Sequence, residues 1–232
     1  MAEAANTDRK DEDNPLDAMR DRILDATLPN VLFDGWSRKG LVMGAEMAGL
    51  QEGDVDLVFP RGARDAIAHW LDRADREMSA ALEAADLDKM KIRAKVAFGV
   101  RTRLEQVAPH KEAVRRALGL LALPGNAALG TRALYRTVDA IWYACGDRST
   151  DFNFYSKRGL LAAVYSSTLL YWLDDESDGH EATWAFLDRR VENVMQIPQI
   201  KARLGDLGRK LPNPLRFMRA ARTARATAKS GS

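Results

Sequence analysis

Residues 138–155 read VDAIWYACGDRSTDFNFY, and the rest of the chain is organised around this stretch. One buried stripe on a helix is predicted by apolar residues at three- and four-residue spacing, namely Leu134, Val138, Ile141, Trp142 and Cys145. Gly146 follows where a glycine commonly ends a helix. The hydroxyl and carboxylate residues after it supply cap oxygens for a second helix. A core helix does not need the aspartate and tyrosine on its other side, so helix packing alone does not explain these two residues.

Apolar residues recur with a helical period on both sides of this stretch, and we find no alternating strand pattern of useful length and no internal repeat. The fold class is therefore all-α. Leu16 and Ile92 are among the residues predicted to face inwards. The predicted helices span about residues 15–28, 37–48, 53–59, 63–85, 88–107, 110–123, 127–145, 153–173 and 180–197.

Composition indicates a globular protein of a reducing compartment. The 232 residues are 46% hydrophobic, enough to form a full core without disulfides. The single cysteine, Cys145, lies on the apolar stripe and is predicted to be a buried structural thiol. No apolar run reaches the roughly 18 residues that a membrane span needs. Because the first 14 residues lack the pattern of a signal or transit peptide, we expect a bacterial cytoplasmic protein.

The charge is divided unevenly along the chain. The net charge is +2, but seven basic residues and no acidic residue follow Asp206. Such a basic tail predicts weak, salt-sensitive attachment to an anionic membrane surface. A disordered basic tail and a nucleic-acid-binding arm are the alternatives. The residues predicted to meet the membrane are Leu215, Arg216, Phe217, Met218, Arg219, Arg222 and Arg225.

Four regions are predicted from these patterns. Residues 1–14 form a disordered acidic tail, and residues 15–62 form a helix-turn-helix-like subdomain. Residues 63–197 form a helical domain. Residues 198–232 form a proline-containing linker and a basic membrane-associating helix.

The order of helices and motifs in the amino-terminal region resembles that of TetR-type repressors. It combines ILDATL, a Gly35-Trp36 pair, two short helices and a Phe59-Pro60 pair that opens a long helix. The helix that enters DNA in such repressors here contains Glu52, Asp54 and Asp56 and no lysine or arginine. Phosphate contacts supply much of the affinity for DNA, so these carboxylates oppose DNA binding. A TetR-type ligand-responsive transcription regulator, with Arg61 and Arg64 as the nearest basic residues, is kept as the alternative function.

Three stretches carry a wider resemblance: FDGWS at 33–37, the 138–155 stretch with its continuation SKRGLLAAVYSSTLLYWLDDES, and ATWAFLDRRVENVM at 182–195. They resemble the accessory lipid-binding proteins of ubiquinone biosynthesis, the ninth member of the coenzyme Q series. Phe154 stands where that family often has tryptophan. The resemblance implies a TetR-like homodimer that binds isoprenoid lipids, including quinone intermediates, at the inner membrane. It further implies that residues 63–197 serve lipid binding and dimerisation. It also implies help to a demethoxyubiquinone-type di-iron hydroxylase, with no metal or other cofactor of its own and no DNA partner.

The resemblance also implies site residues. The family's hydroxylase-contacting patch matches Asp139, Trp142, Tyr143, Gly146, Asp147, Ser149, Thr150 and Asp151. The lipid cavity is less tied to a motif. Its predicted lining residues, taken from inward stripes, are Phe98, Leu134, Ile141, Leu161, Tyr165 and Trp172.

No catalytic site is predicted. His69, His110 and His180 lie on different predicted helices, where surface or helix-end positions fit better than metal ligation. The acidic loop 174–179 lacks the regular ligand spacing of a calcium loop and is predicted to be solvated. Asp147 and Asp151 are predicted to be caps or ion-pair partners of neighbouring basic residues such as Lys157 and Arg158. The chain is therefore expected not to be an enzyme.

Overall fold

A computed structural model describes residues 14–147 and 152–194, without the side chains of 152–154. Within these ranges every regular element is a helix, as predicted. Contacts divide the chain after Val191, and the packing described here lies within the unit that ends there. The α-helices are α1 (Pro15–Thr27), α2 (Arg38–Met47), α3 (Glu52–Val58), α4 (Ala63–Ala84), α5 (Ile92–Val107), α6 (Lys111–Leu121), α7 (Ala127–Ala144), α8 (Phe152–Asp174) and α9 (181–194).

Short helical turns join several of these helices. They are Leu28–Asn30 and Val31–Asp34 between α1 and α2, Leu87–Lys89 before α5, Ala108–His110 before α6, and Asp178–His180 before α9. None of the described helices is both long and apolar enough to pass through a bilayer.

Helix α1 begins as its sequence predicts and then buries only part of its apolar stripe. The Leu16 backbone N–H donates to the Asn14 side chain at 3.1 Å, and Pro15 occupies the first helical position. Ile23 and Leu24 are fully buried, whereas Leu16 is 38% exposed. The inward prediction for Leu16 is therefore wrong, because periodicity gives the side of a helix but not where the covering helices end.

Helices α1 and α2 pack closely because glycine lies at their contact. A Cβ atom at Gly44 would come within 2.0 Å of Thr27 Oγ1 and 3.0 Å of the Ile23 carbonyl oxygen. Ser37 caps α2 by accepting the Gly40 N–H at 3.0 Å, as predicted. The left-handed φ of +72° at Gly49 follows the end of this helix.

Trp36 connects the amino-terminal helices to the larger bundle. Its indole N–H donates to the Ala113 carbonyl of α6 at 2.9 Å. Its ring lies 5.5 Å from the ring of Trp70 on α4, between centroids. The tryptophan of the FDGWS stretch is therefore a buried structural residue, and Phe33 of the same stretch is 79% exposed.

The bundle core is formed by α4, α5, α7 and α8. Gly99 of α5 approaches Ile141 of α7 so closely that an added Cβ would lie 3.0 Å from the isoleucine side chain. Helix α5 begins at Ile92 rather than near Asp88, because the turn Leu87–Lys89 comes first and buries Leu87. Ile92 is consequently in the first turn of α5 and is 43% exposed, so its predicted inward position is wrong.

The acidic loop before α9 contains a buried cap. Asp175 is only 7% exposed, which contradicts the prediction of a solvated loop at this residue. Its carboxylate accepts the backbone N–H and hydroxyl of Ser177 at 2.9 and 2.6 Å and those of Thr183 at 2.9 and 2.5 Å. Burial by itself raises the pKa of Asp175, but these hydrogen bonds outweigh it and hold the pKa below its usual range. The carboxylate thereby fixes the start of α9.

Candidate partner surface and buried cavity

The end of α7 presents an exposed tyrosine next to a glycine turn. Tyr143 is 59% exposed. Gly146 is also exposed and adopts a φ of +85°, the left-handed conformation that glycine tolerates best. We call Asp139, Tyr143, Gly146 and Asp147 the α7 surface. Ser149, Thr150 and Asp151, also predicted to contact a partner, lie outside the described residues.

The two aspartates of the α7 surface are held by α8. Arg158 lies 2.6 Å from Asp139 and 3.4 Å from Asp147, and its side chain is only 6% exposed. Lys157 adds a 2.8 Å ion pair to Asp147. The predicted pairing of Asp147 with Lys157 and Arg158 is confirmed. These contacts brace the turn after α7 against α8. The Asp147 side chain is only 6% exposed, which corrects its prediction as a partner-facing group and makes it a support of the turn. The Asp139 side chain is 43% exposed and contributes charge to the surface.

Trp142 lies beneath this surface instead of on it. The residue is 7% exposed, and Lys157 Nζ lies 5.8 Å from the centre of its ring. Its indole N–H is buried and has no hydrogen-bond partner within the described part of the chain. The ring follows the apolar stripe of α7 into the core, which corrects its predicted place among surface residues. It supports the exposed Tyr143 from below.

Cys145 completes the buried stripe of α7. The thiol is buried, and this burial raises its pKa to about 11 against a smaller opposing effect of Lys95. A thiol with so high a pKa carries little thiolate at neutral pH and is a poor nucleophile. The prediction of a structural cysteine is confirmed.

A small cavity lies between α4, α5, α6 and α8. Its volume is about 40 Å³. Ten residues line it, and three of them, Trp70, Arg103 and Tyr165, carry side-chain hydrogen-bond donors. The other seven, including Leu118, are aliphatic.

The structure places the predicted lipid residues in several parts of the core. Tyr165 lines the cavity and is 7% exposed. Ile141, Leu161 and Trp172 are buried at 0%, 3% and 0% exposure, but they lie in the core away from the cavity wall. Phe98 and Leu134 are half-buried on α5 and α7. Periodicity identified inward positions, but only packing determines which of them border an open space.

A buried ionic cluster stands beside the cavity. Asp75 of α4, 4% exposed, accepts the Nε–H of Arg103 at 3.0 Å and the hydroxyl of Thr137 at 2.8 Å. Its second oxygen accepts the Nε–H of Arg136 at 2.8 Å. We did not identify this cluster from the sequence. The sequence does contain a signal for it: Asp75 lies next to Ala74 and three residues before Met78, so a charged residue interrupts the apolar stripe of α4 and indicates a buried charge with a partner.

The histidines take separate structural positions. His69 lies 2.8 Å from Asp21 with a side chain only 10% exposed, so its predicted surface position is wrong. Burial and, to a lesser degree, Arg73 lower the pKa of the half-buried His110. His180 stacks edge-on against Trp172, at 5.8 Å between ring centroids. Across the described ranges no three residues of metal-ligating type gather into a possible ion site.

The third helix neutralises the nearest arginine of the amino-terminal subdomain. Arg38 of α2 lies 2.6 Å from Glu52 and 2.8 Å from Asp56. Asp54 instead caps its own helix by accepting the Gln51 N–H at 2.8 Å. The sequence identified the acidic helix but not its arginine partner, which lies 14 and 18 residues earlier in the chain.

Comparison with known proteins shows what this chain is similar to. Residues 127–198, which contain α7, α8 and α9, match the family model named COQ9. Ubiquinone biosynthesis protein COQ9 of Drosophila melanogaster is 36% identical over 186 residues, which cover 78% of this chain and 57% of the relative. The Homo sapiens protein is 33% identical over 186 residues, covering 77% and 58%. This chain is similar to the COQ9 proteins. It spans somewhat more than half the length of those curated relatives, both of which carry the word mitochondrial in their names.

The fold is shared with a protein of another kind. A crystal structure of a TetR transcriptional regulator from Nitrosomonas europaea superimposes with a TM-score of 0.64, covering 77% of this chain and 98% of that one. The two sequences are 21% identical. The predicted TetR-like all-α fold is confirmed. The COQ9 match includes the α7 surface, whereas the likeness to the regulator concerns the fold alone.

Proposed function

We propose that this chain is an accessory protein of ubiquinone biosynthesis that binds isoprenoid quinone intermediates and presents them to a membrane-associated di-iron hydroxylase. One observation carries the proposal: the COQ9 match over residues 127–198 includes the α7 surface and helices α8 and α9. The role is one of binding and delivery, without chemistry of its own. Its place of action is the cytoplasmic face of a bacterial inner membrane.

The geometry supports delivery in two ways. The α7 surface combines an exposed aromatic ring, Tyr143, with a turn braced by buried ion pairs from Arg158. Exposed tyrosines on rigid supports are favourable anchors for a protein partner, because little side-chain entropy is lost on binding. The cavity near Tyr165 offers an apolar wall with a few donors, the usual composition of a small-molecule site.

Lipid binding is tested by extracting the purified full chain with organic solvent and analysing the extract by mass spectrometry. We expect a prenylated quinone or quinone precursor at close to stoichiometric amounts. Retention on vesicles containing anionic phospholipid, reversed by salt, is the companion result. An extract without isoprenoid lipid, together with no retention on vesicles, would refute the lipid-binding role.

Partner binding is tested by capture of the purified di-iron hydroxylase on the immobilised chain. Tyr143→Lys should weaken capture at least tenfold, because a charge replaces the exposed ring. The matched control is Tyr135→Lys. Tyr135 is also on α7 and is 46% exposed, but it does not belong to the α7 surface. Equal loss in both variants would show that the α7 surface is not the contact. Capture without any bound lipid would instead indicate a purely structural adaptor.

DNA recognition is the competing role, and the electrostatics of α3 oppose it. Glu52 and Asp56 pair with Arg38, and α3 itself has no lysine or arginine, so Lys39 of α2 is the one cation of these two helices without an ion pair in the described structure. Specific gel-shift binding that survives physiological salt and is lost on changing Arg61 or Arg64 would favour a transcription regulator.

A further inference from the structure

One part of the cavity wall is well buried and another part is half-buried. Trp70, Arg103 and Tyr165, which carry its hydrogen-bond donors, are only 3%, 2% and 7% exposed, and four aliphatic lining residues are similarly buried. The half-buried part of the wall is apolar and consists of Leu71 of α4 with Leu118 and Leu121 of α6. A ligand that enters past these leucines would place its leading end in the buried part, where all three donors lie.

Arg103 and Tyr165 have donor groups without an acceptor in the described part of the chain. Arg103 has five N–H groups, and in the described structure only Nε is bonded, to Asp75 at 3.0 Å. The Tyr165 hydroxyl likewise makes no hydrogen bond to the described residues. Neither group is among the fully enclosed polar atoms without a partner, so both border reachable space. An acceptor atom in the cavity would satisfy them, and unsatisfied buried donors are costly.

The charges around the cavity favour a neutral acceptor over an anion. Arg103 is balanced by Asp75, and Arg136 bridges Asp75 and Asp72 at 2.8 and 2.9 Å. Asp72 also pairs with Arg76, but Asp72, Arg76 and Arg136 are each more than a third exposed and are screened by water. The charge next to the cavity is therefore that of the buried pair of Arg103 and Asp75, which is neutral. Burial raises the pKa of Tyr165, so its hydroxyl stays protonated and can donate at neutral pH.

We infer that Arg103 and Tyr165 bind a carbonyl or hydroxyl oxygen of a neutral prenylated ring, which enters head first while its tail leaves between Leu118 and Leu121. The inference rests on the proposed function and adds the polar recognition group and the direction of entry. The cavity of about 40 Å³ holds on the order of three water molecules, so a ring enters only if the wall widens. The half-buried leucines of α6 are the part of the wall that can yield with least loss of buried contact.

The test compares three probes by isothermal titration calorimetry with the full chain. The probes are a farnesyl-substituted benzoquinone, the hydrocarbon farnesene and the carboxylate palmitate. One or two hydrogen bonds to a neutral oxygen correspond to about a tenfold preference for the quinone over farnesene. Palmitate should bind no more tightly than the quinone. If none of the probes binds, the lipid-binding role itself fails together with this inference.

Two variants locate the effect. Tyr165→Phe keeps the ring and removes the hydroxyl, so the preference for quinone over farnesene should fall several-fold. The matched control, Tyr135→Phe, alters a tyrosine outside the cavity and should keep the full preference. Arg103→Lys keeps a charge for Asp75 but loses the planar fork, and it should also reduce the preference.

Three results would overturn the inference while leaving lipid binding intact. They are equal affinity for quinone and farnesene, tighter binding of palmitate than of quinone, and Tyr165→Phe behaving like Tyr135→Phe. If Arg103→Lys fails to fold by circular dichroism, the tyrosine pair still decides the question.

Discussion

Replacing Gly44 by alanine should separate α1 from α2 and destabilise the protein. The new Cβ would lie 2.0 Å from Thr27 Oγ1 and 3.0 Å from the Ile23 carbonyl oxygen, whereas ordinary contact begins near 3.4 Å. Thr27 is 2% exposed and its hydroxyl already donates to the Ile23 carbonyl at 2.7 Å. The side chain therefore cannot move away without giving up that hydrogen bond, and the backbone oxygen cannot move away without shifting α1.

The size of the effect follows from three contributions. Overpacking a core contact costs about 1–3 kcal/mol. Turning Thr27 away leaves a buried hydroxyl without a partner, at about 1–3 kcal/mol. Alanine regains about 1 kcal/mol of helix propensity over glycine. We therefore expect Gly44→Ala to lower the free energy of unfolding by about 1–5 kcal/mol.

Urea unfolding at pH 7, followed by far-ultraviolet circular dichroism, measures the change. The control is Gly53→Ala in α3, where an added Cβ meets nothing within 4 Å. That variant should be slightly stabilised, by about 0.5–1 kcal/mol, since only the propensity gain applies. If Gly44→Ala is as stable as the natural chain, the close approach of α1 and α2 is not what glycine serves at this position.

Three further predictions concern buried charge, pH and the α7 surface. Asp75→Ala should lower the free energy of unfolding in urea by about 3–5 kcal/mol, because it leaves the buried Arg103 without its carboxylate. Arg136→Ala should lower it by about 1 kcal/mol or less, because Arg136 is half-exposed. Similar losses in the two variants would contradict this difference in burial. Asp175→Asn should cost about 1–3 kcal/mol at pH 7. The pKa of Asp175 is lower in the folded than in the unfolded protein, so its carboxylate stabilises the fold above about pH 4 and loses this effect as the pH falls through the folded pKa. The free energies of unfolding of the natural chain and of Asp175→Asn should therefore converge in acid. Trp142→Lys should lower the unfolding midpoint strongly, whereas Tyr143→Lys should leave it nearly unchanged, and equal midpoints would show that both rings are exposed.

Local chemistry made much of the fold predictable. Asn14 with Pro15, Ser37 and the glycine after α7 mark helix ends through interactions with immediate neighbours in sequence, so the caps are found where predicted. The burial of Cys145 followed from its stripe. In each case the deciding contact lies within a few residues along the chain.

The residues whose burial was wrongly predicted share one cause: their burial depends on how other segments pack against them, which local spacing does not show. Leu16 and Ile92 fit an inward stripe, but each lies in the first turn of its helix and remains 38% and 43% exposed. Trp142 was assigned to a surface by resemblance, yet the stripe of its own helix carries it into the core. Asp175 lies in an acidic loop that the sequence predicts to be solvated, but Thr183, eight residues later, donates its hydroxyl to the Asp175 carboxylate.

The sequence by itself determined the all-α class, the helix caps, the acidic third helix and the likeness to COQ9 proteins, because each depends on residue types at short spacing. Only the tertiary structure decided that Arg103 and Tyr165 border the same space and that Asp75 gathers partners 28, 61 and 62 residues away. It also decided that Arg158 braces Asp139 and Asp147 together. A periodic pattern states which side of a helix is buried, but the partner and the space on that side are set by how other helices pack against it.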